Sequence, residues 1–129
     1  MIVVDSSVWI AYFRAVDIAS TRQLDALDLD VDLLVGDIVL LEVLRGARSA
    51  SHARRIENEL RRFDIVPMLG EKLAVKAAEN YRLLRGLGIT LRKSPDLIIG
   101  TYCIEHNHAL LHDDRDFEPM REHLGLRVA

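Results

Sequence analysis

Short apolar runs alternate with longer amphipathic segments along this chain. The runs MIVV, DLLVG, DIV and ALL, which begin at residues 1, 32, 64 and 109, show no alternation of polar and apolar positions. Runs of this kind predict strands that are buried on both faces of a sheet. Residues 126–128 predict a fifth strand, and the segments between the strands predict helices over residues 6–14, 18–30, 37–48, 53–63, 71–87 and 94–105.

Two of these predicted helices carry recognisable start signals. Asp37 predicts the cap of the third helix, because an aspartate in that position accepts a backbone hydrogen bond. Ser94, Pro95 and Asp96 predict, in this order, the cap, a first-turn proline and a first-turn acid of the last predicted helix. Asp96 is therefore expected at the beginning of a helix.

The alternation of strands and helices indicates an α/β fold. Because the strands are expected to be buried on both faces, the sequence predicts a three-layer sandwich around a central, mostly parallel sheet. The chain has 129 residues, of which 50% are hydrophobic, and we expect a single domain over residues 1–129. Ligands of such folds bind at the carboxyl ends of the strands, so residues that directly follow a strand are candidates for a site.

Charge is distributed unevenly around a net charge of −3. Residues 1–44 carry two basic and eight acidic side chains. Residues 45–93 carry twelve basic and five acidic side chains, and residues 94–129 carry three basic and seven acidic side chains. A protein that holds cations in one place and a polyanion beside it shows this pattern, and so does a solvated helix face. The basic middle segment is thus a candidate surface for phosphates.

Several classes of protein are not supported by the sequence. The single cysteine, the absence of a basic segment before the first apolar run and the lack of an apolar run of membrane-spanning length favour a cytoplasmic protein. The five histidines have no HExxH spacing and no cysteine partners, so a zinc site is not predicted. Phosphate-binding glycine loops and a GxSxG nucleophile motif are also absent from the sequence.

Acidic residues stand at positions where chemistry is expected. Asp5 and the acids between residues 113 and 116 each follow an apolar strand, which places them on the same edge of the sheet. Glu42 lies among apolar residues and needs a partner, which is either a cation or Arg45 one helical turn away. Asp5 and Asp96 also fit simple helix-start roles. Together these carboxylates predict an oxygen-rich pocket that suits Mg²⁺ or Mn²⁺.

Four segments resemble a known family in order and spacing. They are MIVVDSSVWIAYF, LLEVLRG, SPDLIIGTYCIEH and ALLHDDRDFEPM. In this respect the chain is similar to the PIN-domain ribonucleases, most of all to the VapC toxins of toxin-antitoxin pairs. The resemblance implies that catalytic and metal-binding roles fall on Asp5, Glu42, Asp96 and Asp114, with Asp116 as an auxiliary metal ligand.

Two positions beside these acids need separate mention. Ser6, or alternatively Ser7, occupies the place of the small hydroxyl residue that follows the first acid in similar proteins. His112 stands where similar proteins often have threonine, so it is a supporting residue without a defined role.

The resemblance implies an endoribonuclease that depends on Mg²⁺ or Mn²⁺ and leaves 5′-phosphate and 3′-hydroxyl ends. It implies a homodimer that a small VapB-like antitoxin inhibits, and we expect that antitoxin to place a basic side chain beside the acids. An inactive PIN-like module that only binds RNA or a partner, and a receiver-like phosphoacceptor domain, remain alternatives. The arginines expected to contact the RNA backbone are Arg45, Arg48, Arg54, Arg55, Arg61 and Arg62.

Overall fold

A computed structural model describes residues 1–27 and 32–129 of the chain. Within these residues, five strands form one sheet, and every neighbouring pair of strands is parallel. The predicted α/β fold with a parallel sheet is confirmed. The strands are β1 (Ile2–Val4), β2 (Leu33–Gly36), β3 (Asp64–Val66), β4 (Ala109–Leu111) and β5 (Arg127–Val128).

Helices cover both faces of this sheet. Val3 and Val4 are consecutive residues of β1 whose side chains point to opposite faces, and both are fully buried. Helix α1 packs against α2 and α3, while α5 packs against α6. The helices of the described residues are α1 (Ser6–Phe13), α2 (Ala19–Asp25), α3 (Asp37–Arg45), α4 (Ala50–Leu60), α5 (Glu71–Gly86), α6 (Ser94–His106) and α7 (Glu118–His123).

The third and fourth helices are shifted relative to their predicted positions. Helix α3 ends at Arg45 and not near residue 48, and α4 begins and ends three residues before the predicted bounds of 53 and 63. The reason is Ser49, whose side chain accepts a hydrogen bond from the His52 backbone N–H and thereby caps α4. A serine cap satisfies a backbone donor that apolar periodicity alone does not reveal.

The predicted cap role of Asp37 is wrong by one position. Gly36 is the N-cap of α3, and Asp37 is the first helical residue. Its Oδ1 atom accepts from the backbone N–H groups of Ile38 and Met68, so this side chain joins the start of α3 to the loop after β3.

Three further differences concern two helix ends and one helix that was not predicted. Lys93, and not Ser94, is the N-cap of α6. Helix α2 ends at Asp25, and residues 28–30 of the predicted second helix lie outside the described residues. The sequence pattern did not predict α7, because its six residues are too short for a helical period to be visible.

The strand order is β3-β2-β1-β4-β5. From β1 the chain adds β2 and β3 toward one edge of the sheet. It then returns to the other side of β1, where β4 and β5 extend toward the opposite edge. The direction in which strands are added therefore reverses between β1 and β4. In open α/β sheets such a switch point forms the crevice where ligands bind. The order also differs from the 2-1-3-4-5 arrangement of receiver-type domains, which argues against the receiver alternative.

No helix among the described residues is both long enough and apolar enough to pass through a lipid bilayer.

Candidate active site

The carboxyl ends of β1 and β4 place the first and last acidic segments side by side. The Asp5 N–H donates to the Leu111 carbonyl over 2.9 Å, so sheet pairing continues to the first acid itself. The Asp5 side chain is buried, and its Oδ2 atom accepts from the Ser7 N–H at 3.1 Å and from the Ser7 hydroxyl at 2.6 Å. Asp5 therefore caps α1 at the carboxyl end of β1, so its helix-start role is observed, while its role in a catalytic site stays a prediction.

Ser7 connects the two acidic segments. Its hydroxyl oxygen donates to Asp5 and accepts from the Asp113 backbone N–H at 3.1 Å. The preferred candidate from the sequence was Ser6, yet Ser7 is the serine that contacts Asp5. Two adjacent serines after one acid give no sequence signal that distinguishes them, because the direction of each side chain depends on the turn into α1.

Asp96, Asp114 and Asp116 form the compact part of the site. One carboxylate oxygen from each lies within 4.8 Å of the others, although Asp96 lies in the first turn of α6 and the other two follow β4. Asp114 Oδ1 accepts from the Asp116 N–H at 3.0 Å and thereby caps the 3₁₀ turn Arg115–Phe117. This local hydrogen bond fixes the Asp114 carboxylate at the start of the turn that carries Asp116.

The proximity of these acids changes their protonation. Burial, followed by the charges of Asp5 and Asp114, raises the pKa of Asp96 to about 7. Burial also raises the pKa of Asp5, against hydrogen bonds from Ser7 that lower it. Burial also acts to raise the pKa of Asp114. The hydrogen bond from the Asp116 N–H and the contact with Lys93 lower it by more, so the pKa of Asp114 lies below its usual value. Several carboxylates thus occupy a space that favours either bound protons or a bound cation.

Two buried carboxylate oxygens lack a hydrogen-bond partner among the described residues. They are Asp5 Oδ1 and Asp96 Oδ2. A buried carboxylate oxygen without a partner is costly, and a hard divalent cation satisfies it. Oxygen ligands of this kind suit Mg²⁺ and Mn²⁺. The residues present therefore fit the metal that the sequence predicts.

Glu42 occupies a different position from the other acids. It is half-buried on α3, and its Oε1 atom accepts from the Ser6 hydroxyl at 2.9 Å. The structure places it outside the compact group of Asp96, Asp114 and Asp116, and joins it to the site through Ser6, the neighbour of Asp5. Within the described residues Glu42 forms no ion pair with Arg45, so that alternative from the sequence is not observed.

His112 acts on the backbone of the site. Its Nδ1 atom accepts from the Asp114 N–H at 3.1 Å, so the ring carries its proton on Nε2. The ring packs against Phe117 with centroids 4.8 Å apart. An imidazole therefore supports the turn that carries Asp114.

Lys93 is a site residue that the sequence did not reveal. Its ammonium group donates to Asp114 Oδ2 at 3.0 Å and lies 3.7 Å from Asp116 Oδ2. Lys93, His112 and Asp114 are among the residues that line an open cavity of about 590 Å³. A lysine three residues before Asp96 is not part of a recognisable sequence motif. Its contact with Asp114 depends on the conformation of the turn before α6.

The predicted RNA-contacting arginines lie on the surface of α3, α4 and the residues beside α4. All six are exposed, and they occupy the end of α3, the connection to α4, and α4 with the residues directly after it. Arg61 Nε pairs with Glu57 at 2.6 Å. Among the described residues, none of the arginines Arg45, Arg48, Arg54, Arg55, Arg61 and Arg62 forms an ion pair with an acid of the site.

Known proteins share both the sequence pattern and the fold. Ribonuclease VapC11 of Mycobacterium tuberculosis is 28% identical over 134 residues, which cover 100% of this chain and 98% of that protein. The VapBC2 structure from Rickettsia felis, solved with a DNA fragment from its promoter, has a TM-score of 0.79 at 18% identity and covers 100% of this chain and 98% of that one. VapBC-1 from nontypeable Haemophilus influenzae has a TM-score of 0.76 at 18% identity, with coverage of 100% and 97%.

The family assignment rests on a match over most of the chain. The model of the PIN domain family matches residues 2–122, a range that includes all the acids described above. The solved structures agree with this match at the level of the fold. The chain therefore belongs to the PIN domain family.

Proposed function

We propose that this chain is a metal-dependent endoribonuclease of the VapC type, which cleaves RNA phosphodiester bonds and is inhibited by a small antitoxin. The observation that carries the proposal is the convergence of Asp5, Asp96, Asp114 and Asp116 on one crevice, where Asp5 Oδ1 and Asp96 Oδ2 are buried without a hydrogen-bond partner in the described part of the chain. The name of the relative from Mycobacterium tuberculosis, a ribonuclease, supports the same activity.

Each residue has a distinct part in this proposal. Asp5, Asp96, Asp114 and Asp116 would hold Mg²⁺ or Mn²⁺, and Glu42 would complete the site from α3. A bound divalent ion supplies water activation and charge stabilisation at the phosphodiester. Ser7 and His112 orient the acids through the hydrogen bonds described above. The exposed arginines around α4 would contact the RNA backbone and position the substrate without selecting its sequence.

The test is cleavage by matched variants. Asp96→Asn keeps the size of a buried side chain but removes a charge that would hold the ion, so we expect a folded protein whose RNA cleavage in Mn²⁺ falls by about two orders of magnitude or more. Asp113→Asn is the control, because Asp113 is exposed and lies outside the compact group of acids. Full cleavage by Asp96→Asn, or undiminished cleavage in excess EDTA, would contradict the metal-dependent mechanism. Absence of cleavage by the wild-type protein on any RNA would favour the inactive binding module.

The inhibitory partner is proposed from the same site and from the relatives. Both solved structures named above are of VapBC proteins. An acidic crevice attracts an inserted arginine or lysine, and arginine pairs with carboxylates in a bidentate manner. Inhibition by such a partner should weaken as Mg²⁺ or Mn²⁺ is raised; inhibition that is independent of the metal concentration would indicate steric blockage. The expected homodimer and the single-domain boundary remain predictions.

A further inference from the structure

Lys93 lies over the acidic group at a distance where its charge acts on all three members. Its ammonium nitrogen is 3.0 Å from Asp114 Oδ2 and 3.7 Å from Asp116 Oδ2. The charge of Lys93 also lowers the pKa of Asp96, against the stronger opposing effects of burial and of the neighbouring acids. Among the described residues, no other lysine or arginine forms an ion pair with these three aspartates.

The contacts of Lys93 involve two of the carboxylates that would bind the metal. Asp96, Asp114 and Asp116 offer ligand oxygens within 4.8 Å of one another, a spacing that one cation spans. Asp114 Oδ1 accepts from the Asp116 N–H and Oδ2 accepts from Lys93, so the ammonium group occupies space in front of a carboxylate that would bind the cation. An ammonium group and a divalent ion cannot both occupy the space in front of these oxygens without repulsion.

We infer that Lys93 is an internal counter-ion of the site, which neutralises Asp114 and Asp116 in the metal-free protein and which a divalent ion displaces on binding. The inference deepens the proposed function, because it rests on a metal ion at these acids. Lys93 is then a positioning residue: it keeps mutually repelling carboxylates together until the ion arrives, and it lowers the apparent affinity for the ion. Its side chain is 58% exposed, so it can move away without disturbing the core.

If a divalent ion displaces the Lys93 ammonium, Lys93 must affect the stability of the metal-free protein and the affinity for the ion in opposite directions. Whatever free energy Lys93 contributes to the metal-free protein must be lost when the metal binds. Removal of the ammonium should therefore have opposite effects on the two states: a less stable metal-free protein and a tighter metal complex. A surface ion pair that contributes no stability would change neither the stability of the metal-free protein nor the affinity for the metal.

The experiment is a Mn²⁺ titration followed by electron paramagnetic resonance of the free ion. We compare wild type, Lys93→Gln, Lys93→Arg and Arg92→Gln. Arg92 is the exposed neighbour and forms no ion pair with the three aspartates, so its variant removes the same charge without the contact. We expect Lys93→Gln to bind Mn²⁺ about three- to tenfold more tightly than Arg92→Gln, the range expected from loss of one or two exposed ion pairs. Lys93→Arg should stay within about twofold of wild type, because it keeps the cation.

A thermal unfolding series provides the second readout. In EDTA, Lys93→Gln should unfold at a lower temperature than Arg92→Gln, and saturating Mn²⁺ should remove or reverse that difference. Equal Mn²⁺ affinities of Lys93→Gln and Arg92→Gln would overturn the inference, and so would the absence of Mn²⁺ binding in all variants. RNA cleavage by the wild type is scored separately: tighter Mn²⁺ binding by Lys93→Gln without any cleavage would contradict the proposed function and leave the counter-ion role intact.

Discussion

At the scale of the residue, Ser7 shows how a neutral side chain organises a charged site. Its hydroxyl makes a 2.6 Å hydrogen bond to Asp5 and accepts from the Asp113 N–H, so one oxygen atom links the ends of β1 and β4. Ser6, its neighbour, donates to Glu42. Two successive serines thus serve two different acids from two different segments of the chain.

We predict that Ser7→Ala destabilises the protein more than Ser6→Ala does. Loss of the Ser7 hydroxyl removes a donor from a buried carboxylate, at a cost of about 1 to 3 kcal/mol in the free energy of unfolding. Glu42 is half-buried, and water replaces the Ser6 hydroxyl more easily, so Ser6→Ala should cost less. Urea unfolding in EDTA measures both. If Ser7→Ala unfolds at the same urea concentration as wild type, its hydrogen bonds contribute nothing to the assembly of the site.

At the scale of the element, α4 and the two residues after it carry four arginines and two glutamates, so this segment has an excess of positive charge. Arg54 and Arg55 are exposed on α4, and Arg62 is exposed directly after it. We predict that replacing these three arginines with glutamine weakens RNA binding on all sequences and lowers the slope of log affinity against log salt by about two to three, because fewer counterions are released.

A triple variant on another helix is the control for the α4 prediction. Lys72, Arg82 and Arg85 are exposed on α5, and their replacement with glutamine removes the same net charge from a different surface. Binding is measured with the Asp96→Asn background, so that no RNA is cleaved. Equal slopes for the two triple variants would mean that α4 is a solvated helix face and that RNA responds only to total charge.

Sequence reasoning succeeded for elements whose signal is local and strong. Apolar strands predicted the sheet, and acids directly after two of them predicted the crevice. Sequence reasoning failed where a side chain in a turn determines the local structure. Ser49 caps α4, so this helix begins earlier than predicted. The turn before α6 places the Lys93 ammonium in contact with Asp114, which the sequence did not indicate. Such contacts depend on dihedral angles within loops, which hydrophobic periodicity does not report.

At the scale of the whole molecule, the clustered acids couple folding to pH. Asp96 has a pKa of about 7 in the folded protein, raised by burial and by Asp5 and Asp114, against 3.8 for a free side chain. The folded state therefore binds a proton more tightly than the unfolded state does. The stability from this group is complete below about pH 3.8 and is lost as pH rises from there through about 7.

We predict that, in EDTA, the wild-type protein loses more stability between pH 4 and pH 8 than Asp96→Asn does. The variant lacks the titrating group, so the difference between the two proteins reports the titration of Asp96 together with its coupling to Asp5 and Asp114. Chemical unfolding at a series of pH values measures this difference. Parallel stability curves for the two proteins would show that Asp96 is ionised in both states and that its neighbours exert no net effect on it.

The pairing of β1 with β4 also governs when the site comes into existence during folding. A backbone hydrogen bond joins Asp5 to Leu111. The hydrogen bond between Asp113 and Ser7 likewise joins residues that are 106 positions apart in the sequence. Contacts of such long sequence separation form late, because closure of a long loop is entropically costly. A nascent chain that has not yet released β4 from the ribosome holds Asp5, Glu42 and Asp96 without their partners. We therefore expect the complete acidic site to form only after β4 has been synthesised and has paired with β1.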